Sequence, residues 1–289
     1  MTLRKLLAKF KGGEMSVEQV EVYIEGLREP WRESSETLSV GTTARLDPGR
    51  AARSGVPEAV FAEGKRPQEV VEFLRLLATE NGCALATRVT RDLATLAVVE
   101  LEDTFTVDFN EHGRTLVVQK QQYEPDRLGR LVGILAAGTA DIPAAEEARV
   151  TAQLMGCEVI TAYDVGVAGI HRLFGPIREM REEDVDAIIV VAGMEGALPT
   201  VVKGLVAVPV FGVPTSTGYG YGGKGEGALM TMLQSCSPGL TVVNIDNGFG
   251  AAAAAALVAK RAASVEQSAS QDRPTRTIGS SKKRERAYE

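Results

Sequence analysis

Val190-Val-Ala-Gly-Met-Glu-Gly-Ala-Leu-Pro199 decides the fold. The β-branched run Ile188 to Val191 reads as a buried strand, and it stops at a glycine-flanked carboxylate, Glu195. Pro199 with Val201, Val202 and Leu205 then opens a helix. A strand that turns into a helix at Gly-Met-Glu-Gly sets an acid at the carboxyl edge of a sheet. Open α/β sheets bind ligands at that edge.

Outward from this unit, strand and helix alternate regularly from Leu131 to Ala256, which predicts a parallel sheet with right-handed crossovers. Strands are expected at Leu131–Ala136, Glu158–Tyr163, Ala187–Ala192, Pro209–Val213 and Thr241–Asn244. Helices fit Pro143–Met155, His171–Met180, Leu198–Val206, Gly227–Gln234 and Gly250–Lys260. The fold class is α/β, a flavodoxin-like doubly wound parallel sheet over residues 129–262, preceded by a smaller α+β domain over 44–122. In that smaller domain Pro67 to Asn81 and residues 91–100 read as helices. Cys83–Val89, Phe105–Phe109 and Thr115–Val118 read as strands. Residues 1–30 read as a helical hairpin, with Ser16 and Gln19 forming a capping box. Residues 32–43 read as a linker, and 264–289 as a disordered polar tail.

Composition bounds the function. Across 289 residues, 44% are hydrophobic and 24% charged, as expected of a soluble globular chain. A net charge of −6 and only 5% aromatic residues argue against nucleic acid and anionic membranes as partners. The longest apolar stretch, Phe249 to Ala259, is too short to span a bilayer. Charges interrupt the N-terminal leucines, unlike a signal peptide. Cys83, Cys157 and Cys236 are few and far apart, so a disulfide scaffold and structural zinc are not expected and a cytoplasmic setting is.

The loops that follow the strands carry the chemistry. Ala137-Gly-Thr-Ala-Asp141 precedes a helix start, where free N–H groups suit phosphate or carboxylate. His171 and Arg172 stand together, the histidine being either functional or a structural hydrogen-bonding residue. Gly212 to Gly227 contains Thr215, Ser216 and Lys224 among many glycines and reads as a flap over an anion or as a plain mobile loop. It lacks Walker spacing, because Gly225 follows the lysine. Cys236 sits among small polar residues. It is core filler or a nucleophile, and a thiolate there needs a cation such as Lys224 or Arg172. Asn244-Ile-Asp-Asn-Gly-Phe-Gly250 brings Asp246 and Asn247 to the same edge. In the first domain, Arg45, Arg50, Arg53 and Lys65 lie in a Gly/Pro-rich stretch that holds phosphate or is simply solvated; composition favours the second.

These motifs carry a resemblance. Ala-Gly-Thr-Ala-Asp at 137–141, Ile170-His-Arg172 and Ala192-Gly-Met-Glu-Gly-Ala-Leu-Pro199 resemble the aminoimidazole ribonucleotide carboxylases and carboxyaminoimidazole ribonucleotide mutases. Two features depart from those enzymes: an acid inside the last segment, and Ser235-Cys-Ser-Pro where they carry Met-Pro. Gly-Met-Glu-Gly-Ala-Leu-Pro, Gly212-Val-Pro-Thr-Ser-Thr-Gly-Tyr-Gly220, Cys236-Ser-Pro-Gly239 and Asn244-Ile-Asp-Asn-Gly-Phe-Gly-Ala251 resemble instead the LarB family, over residues 2–262.

The resemblance implies pyridinium-3,5-biscarboxylic acid mononucleotide synthesis, the first step of nickel-pincer cofactor biosynthesis. Nicotinic acid adenine dinucleotide and CO2 (or bicarbonate) would be the substrates and AMP a product. It further implies a homo-octamer and no tightly bound cofactor, with Mg2+ possible near Asp141 or Asp246. Cys236 would add to the ring as nucleophile, Glu195 would act as base, and His171 would join them in catalysis. Gly138, Thr139, Asp141, Arg172, Gly193, Met194, Gly196, Thr215, Ser216, Lys224, Asp246 and Asn247 would bind substrate. Two other readings compete. One is a purine-pathway mutase or carboxylase in which His171 moves the proton and Cys236 is incidental. The other is a non-catalytic nucleotide-binding protein.

Overall fold

A six-residue apolar run with no polar face can only be a strand covered on both sides. In the computed structural model, which describes residues 9–17, 19–20, 37–41, 44–125 and 127–271, Ala187–Ala192 is such a strand, buried along its whole length. In chain order the first domain runs β1 Leu38–Val40, β2 Ala44–Leu46, α1 Arg50–Ser54, β3 Ala59–Phe61, α2 Pro67–Asn81, β4 Cys83–Thr87, α3 Arg91–Leu101, β5 Phe105–Asn110 and β6 Thr115–Lys120. There follow β7 Leu131–Ala136, α4 Ile142–Leu154, β8 Glu158–Ala162, α5 Phe174–Glu182, β9 Ala187–Ala192, α6 Leu198–Lys203, β10 Val210–Pro214, α7 Glu226–Leu233, β11 Leu240–Val242 and α8 Gly248–Gln271.

The second domain is a five-stranded parallel sheet in the order β8-β7-β9-β10-β11. This is the flavodoxin-like order expected from the sequence. Alternate side chains of its strands feed two cores. Val132, Ile134, Ile189 and Val191 meet the alanines of α4 and α8, while Leu135, Ile188 and Val190 meet Leu173, Ile177 and Met180 beside and on α5. After β7 the chain crosses to β8 on one side, and β9 then pairs on the other. The carboxyl ends of β7 and β9 therefore flank the switch point, where the crevice opens.

The first domain is a sheet of order β3-β4-β6-β5, parallel between β3 and β4 and antiparallel elsewhere. One face holds α2 and α3 over a core of Leu74, Leu77, Leu101 and Leu116. The opposite face, through Leu85 and Val117, packs on Val150 and Leu154 of α4 and on Phe249 at the start of α8. The smaller domain is thus seated on one helical layer of the larger.

Several expectations need correcting. Leu38–Val40, read as linker, pairs with β2 as a hairpin in register Leu38↔Leu46. The stretch read as a Gly/Pro-rich loop contains β2, α1 and β3. A three-residue strand such as Ala59–Phe61 is too short to show a period and is fixed by its partner, Val60↔Ala86. Three of its four cations are tied within the segment: Arg53 to Asp47, Arg50 to Glu58 at 3.2 Å, and Lys65 Nζ to the Phe61 carbonyl at 2.6 Å. The helix expected from His171 starts at Phe174. Residues Val167–Arg172 form a 3-10 turn that Gly169 breaks with φ −127° and ψ 53°. The last helix continues to Gln271, eight residues into the stretch read as a tail, because Ala262 to Gln271 contains no Gly or Pro to stop it. Residues 272–289 lie outside the described residues, as does most of the N-terminal hairpin. The Ser16–Gln19 capping pair is present, at 2.9 and 3.2 Å.

The domain junction also has a polar clamp. Glu146 of α4 receives hydrogen bonds from Arg149, Tyr163 and, from the first domain, Asn110. Burial pushes its carboxyl up, but these donors outweigh burial and hold it down at about 2. A carboxyl depressed below its ordinary 4.5 stabilises the fold fully above that value and loses its contribution as pH falls towards about 2. Glu146→Gln is therefore expected to lower the melting temperature at neutral pH and to flatten the acid limb between pH 4.5 and 2. Thermal melts across that range check it, and an unchanged acid limb would contradict it.

Candidate functional site

Three strand-end loops converge at the switch point on one buried carboxylate. Asp141, 5% exposed, follows β7 in the 3-10 turn Thr139–Asp141. Its Oδ2 accepts the Gly138 N–H at 2.9 Å, and its Oδ1 accepts the hydroxyls of Thr215 at 2.6 Å and Thr217 at 3.1 Å, both just beyond or at the end of β10. Gly193, at the end of β9, lies directly against this cluster. A Cβ there would stand 2.4 Å from Thr217 Oγ1 and 2.7 Å from Thr215 Oγ1. No side chain fits without moving the hydroxyls off Asp141. Gly193→Ala is expected to lower activity at least about tenfold, while melting shifts by only a few degrees because the threonine side chains can rotate away. Activity and thermal melts on one preparation test this; full activity would mean that the cluster is not part of the site.

The loop after β11 closes the same edge. Asp246, at φ +55°, donates its N–H to the Pro214 carbonyl at 2.8 Å and accepts the Ser216 N–H on its carboxylate at 2.8 Å. Asn247 works for the backbone: its Oδ1 accepts the Gly250 N–H at 2.8 Å and its carbonyl accepts the Ala251 N–H, which caps α8. Behind this loop stands Arg88, from the end of β4 in the first domain. It donates to the Asp246 carbonyl and pairs with Glu147 at 3.4 Å. Glu147 is 4% exposed and also receives the Phe249 N–H at 2.9 Å. Burial pushes its carboxyl up, against the pull of the Phe249 N–H and Arg88, and Asp246 adds to the push.

The remaining residues singled out in the sequence occupy the outer rim. Met194 and Glu195 are exposed on a tight turn in which the Gly196 N–H donates to the Gly193 carbonyl at 2.8 Å, Met194 having φ +49° and Gly196 φ +64°. Lys224 lies in the turn Gly220–Gly225 with φ +60°, next to the exposed Tyr219 and Tyr221. Thr139 and His171 are exposed, and Arg172 is paired with Asp164. Cys236 is exposed in a loop anchored to α6, where Ser235 Oγ lies 2.9 Å from Thr200 Oγ1 and Ser237 Oγ donates to the Thr200 carbonyl at 3.1 Å. The start of α7 lies against Gly196, through Ala228, and Cys236 lies beyond its other end. Among the described residues, no hydrogen bond joins any two of Cys236, Glu195 and His171. Of the other two thiols Cys157 is buried and Cys83 half-buried, and burial pushes Cys83 up to about 12 and Cys157 up to about 11. No cluster of three metal-ligating side chains occurs, and no helix is long and apolar enough to cross a membrane, among the described residues.

Sequence reading thus found Gly138, Asp141, Gly193 and Thr215 as separate loop residues, and the fold brings them together. It missed Thr217, whose signal was its alternation with Thr215 on one side of an extended segment. It also missed Arg88 and Glu147, which reach the site through the seating of one domain on the other.

Comparison with known proteins agrees with this two-part architecture. Residues 37–121 match the LarB/PurE-like N-terminal domain, and residues 131–283 match AIR carboxylase. An uncharacterized protein of Methanocaldococcus jannaschii is 48% identical over 262 residues, spanning 89% of this chain and 97% of that relative. With its LarB/PurE-like domain seated on an AIR carboxylase domain, the chain belongs to the LarB family, whose domains are of carboxylase or mutase type.

Proposed function

We propose that this protein carboxylates the pyridinium ring of nicotinic acid adenine dinucleotide with CO2 and hydrolyses the phosphoanhydride. The products are AMP and pyridinium-3,5-biscarboxylic acid mononucleotide, which feeds the nickel-pincer cofactor. The observation that carries the reading is that Cys236 is the exposed thiol while Cys157 is buried and Cys83 half-buried. A purine mutase needs no thiol, whereas carboxylation of an electron-poor ring does.

A pyridinium carbon is electrophilic and does not attack CO2. Addition of the Cys236 thiolate forms a C–S bond and sends an electron pair to the ring nitrogen, leaving an enamine-like carbon that attacks CO2. Glu195 then takes the proton from that carbon, the C–S electron pair leaves with sulfur, and the aromatic cation returns. His171 and Arg172 are assigned to holding carboxylate or phosphate groups near the rim.

The thiol and Glu195 stand at opposite ends of α7, which is eight residues and so roughly 12 Å long. In this reading the thiol therefore comes from a neighbouring copy in a homo-octamer. The exposed Met230 and Leu233 of α7 supply apolar surface near Cys236 for such contact. The test is mass spectrometry of small molecules after incubation with the dinucleotide, bicarbonate and Mg2+. AMP plus a mononucleotide one carboxyl group heavier is the expected result, and an intact dinucleotide sinks the reading.

A further inference from the structure

Two neighbouring cavities lie where the domains meet, and they share Arg88, Glu147 and Asp246. The smaller, about 140 Å³, adjoins the switch-point cluster through Thr215 and Thr217 and is walled on the first-domain side by Arg114. That volume is close to that of a cavity that binds a benzene ring, so it takes a compact phosphate bridge and has no room for a nucleoside as well. The larger, about 430 Å³, opens between Phe61 of the first domain and Phe249 of the second. It has room for a nucleoside. Phe61 is 51% exposed, although Lys65 lies 5.8 Å from its ring centre, and an aromatic ring so exposed on a cavity wall offers a stacking surface.

Charge distinguishes the two chambers further. Arg88 is matched by Glu147. Arg114, at φ +50°, is fixed through the carbonyls of Val89 and Arg88 at 3.4 and 3.3 Å and meets no carboxylate among the described residues. The hydroxyl of the exposed Ser216, which lines the chamber from the second domain, also has no hydrogen-bond partner among them. A guanidinium held by backbone carbonyls, in a chamber that a free hydroxyl also lines, can give its remaining N–H groups to phosphate oxygens. Asp246, which accepts the Ser216 N–H, lines the same chamber, so a bare phosphate dianion is disfavoured. A diphosphate that carries its divalent cation fits, with oxygens towards Arg114 and the cation towards Asp246.

We infer that the chamber between the domains is the subsite for the phosphoanhydride bridge of a dinucleotide, anchored by Arg114, with the adenosine side in the adjoining cleft against Phe61. The inference rests on the function proposed above for the identity of the dinucleotide, and it gives the first domain a role: Arg88, Arg114 and Phe61 all come from it. The nicotinate ribotide would then face the switch point.

The test uses full-length protein and two probes that need no turnover, magnesium pyrophosphate and adenosine, titrated by calorimetry. Arg114→Ala is expected to weaken pyrophosphate about tenfold or more and leave adenosine unchanged, with partial rescue by Arg114→Lys. Phe61→Ala should show the reverse pattern. Pyrophosphate binding that is absent from the wild type or equal in Arg114→Ala overturns the subsite, as does adenosine binding indifferent to Phe61→Ala. If both probes behave as expected but the dinucleotide is not turned over, the proposed function fails and the subsite stands. If the wild type turns over the dinucleotide and Arg114→Ala keeps its KM, the subsite fails and the function stands.

Discussion

Cys236→Ala is expected to yield no carboxylated mononucleotide, a loss of at least about a thousandfold in turnover, because it removes the only step that makes the ring nucleophilic. The side chain is exposed and its loop is anchored through Ser235, Ser237 and Thr200, so melting should move by less than about 1 kcal/mol of stability. Product mass spectrometry and thermal melts on one preparation separate lost chemistry from lost fold. Glu195→Gln should be inactive for a different reason, since the adduct forms but the ring proton stays. If the thiol and the base that meet belong to different copies, mixing the two inactive variants within one oligomer restores part of the activity. Activity of Cys236→Ala within a few-fold of wild type would remove the covalent step and favour a mutase in which His171 moves the proton. Substrate binding without any turnover by the wild type would favour the simple binding protein.

What was legible in the sequence follows from where the determining contacts lie. β7 and β9 have the bounds expected from their apolar runs, because a strand covered on both faces writes its burial into consecutive residues. The order β8-β7-β9-β10-β11 follows once the alternation is accepted as doubly wound. β3 was not legible, since its three residues owe their conformation to β4. Nor was Glu147. In Ala-Glu-Glu-Ala at 145–148 it reads as one of two solvated helix acids, and it is buried because the first domain's sheet and the start of α8 cover that turn of α4. Arg88 and Arg114 are likewise ordinary loop arginines until the domains meet. Asp141 was picked out for its place after a strand. Its partners Thr215 and Thr217 lie 74 and 76 residues away, a pairing that no local pattern contains.

The largest stability effect is expected at Gly248, the first residue of α8. A Cβ built there would stand 2.1 Å from the Ala144 carbonyl oxygen and 3.0 Å from the Ala148 amide nitrogen. Both are backbone atoms of α4, so no rotamer change relieves the clash. Ala145, Ala148 and Ala152 of α4 and Ala252, Ala255 and Ala259 of α8 are fully buried, and small side chains let two helices approach this closely. A methyl group at Gly248 has to push the helices apart and open that alanine seam. The shift would also draw the Phe249 N–H away from Glu147, and so loosen the carboxylate that Arg88 holds from the other domain. Gly248→Ala is therefore expected to cost about 3 kcal/mol, lowering the melting temperature by about 10 °C. Gly175→Ala is the control. It lies in the first turn of α5 with nothing within 4 Å of its Cβ position, and alanine there should stabilise by up to about 1 kcal/mol. Melting of Gly248→Ala at the wild-type temperature would show that α4 and α8 can separate without loss, and that the seam does not set the spacing on which the Asp246 loop depends.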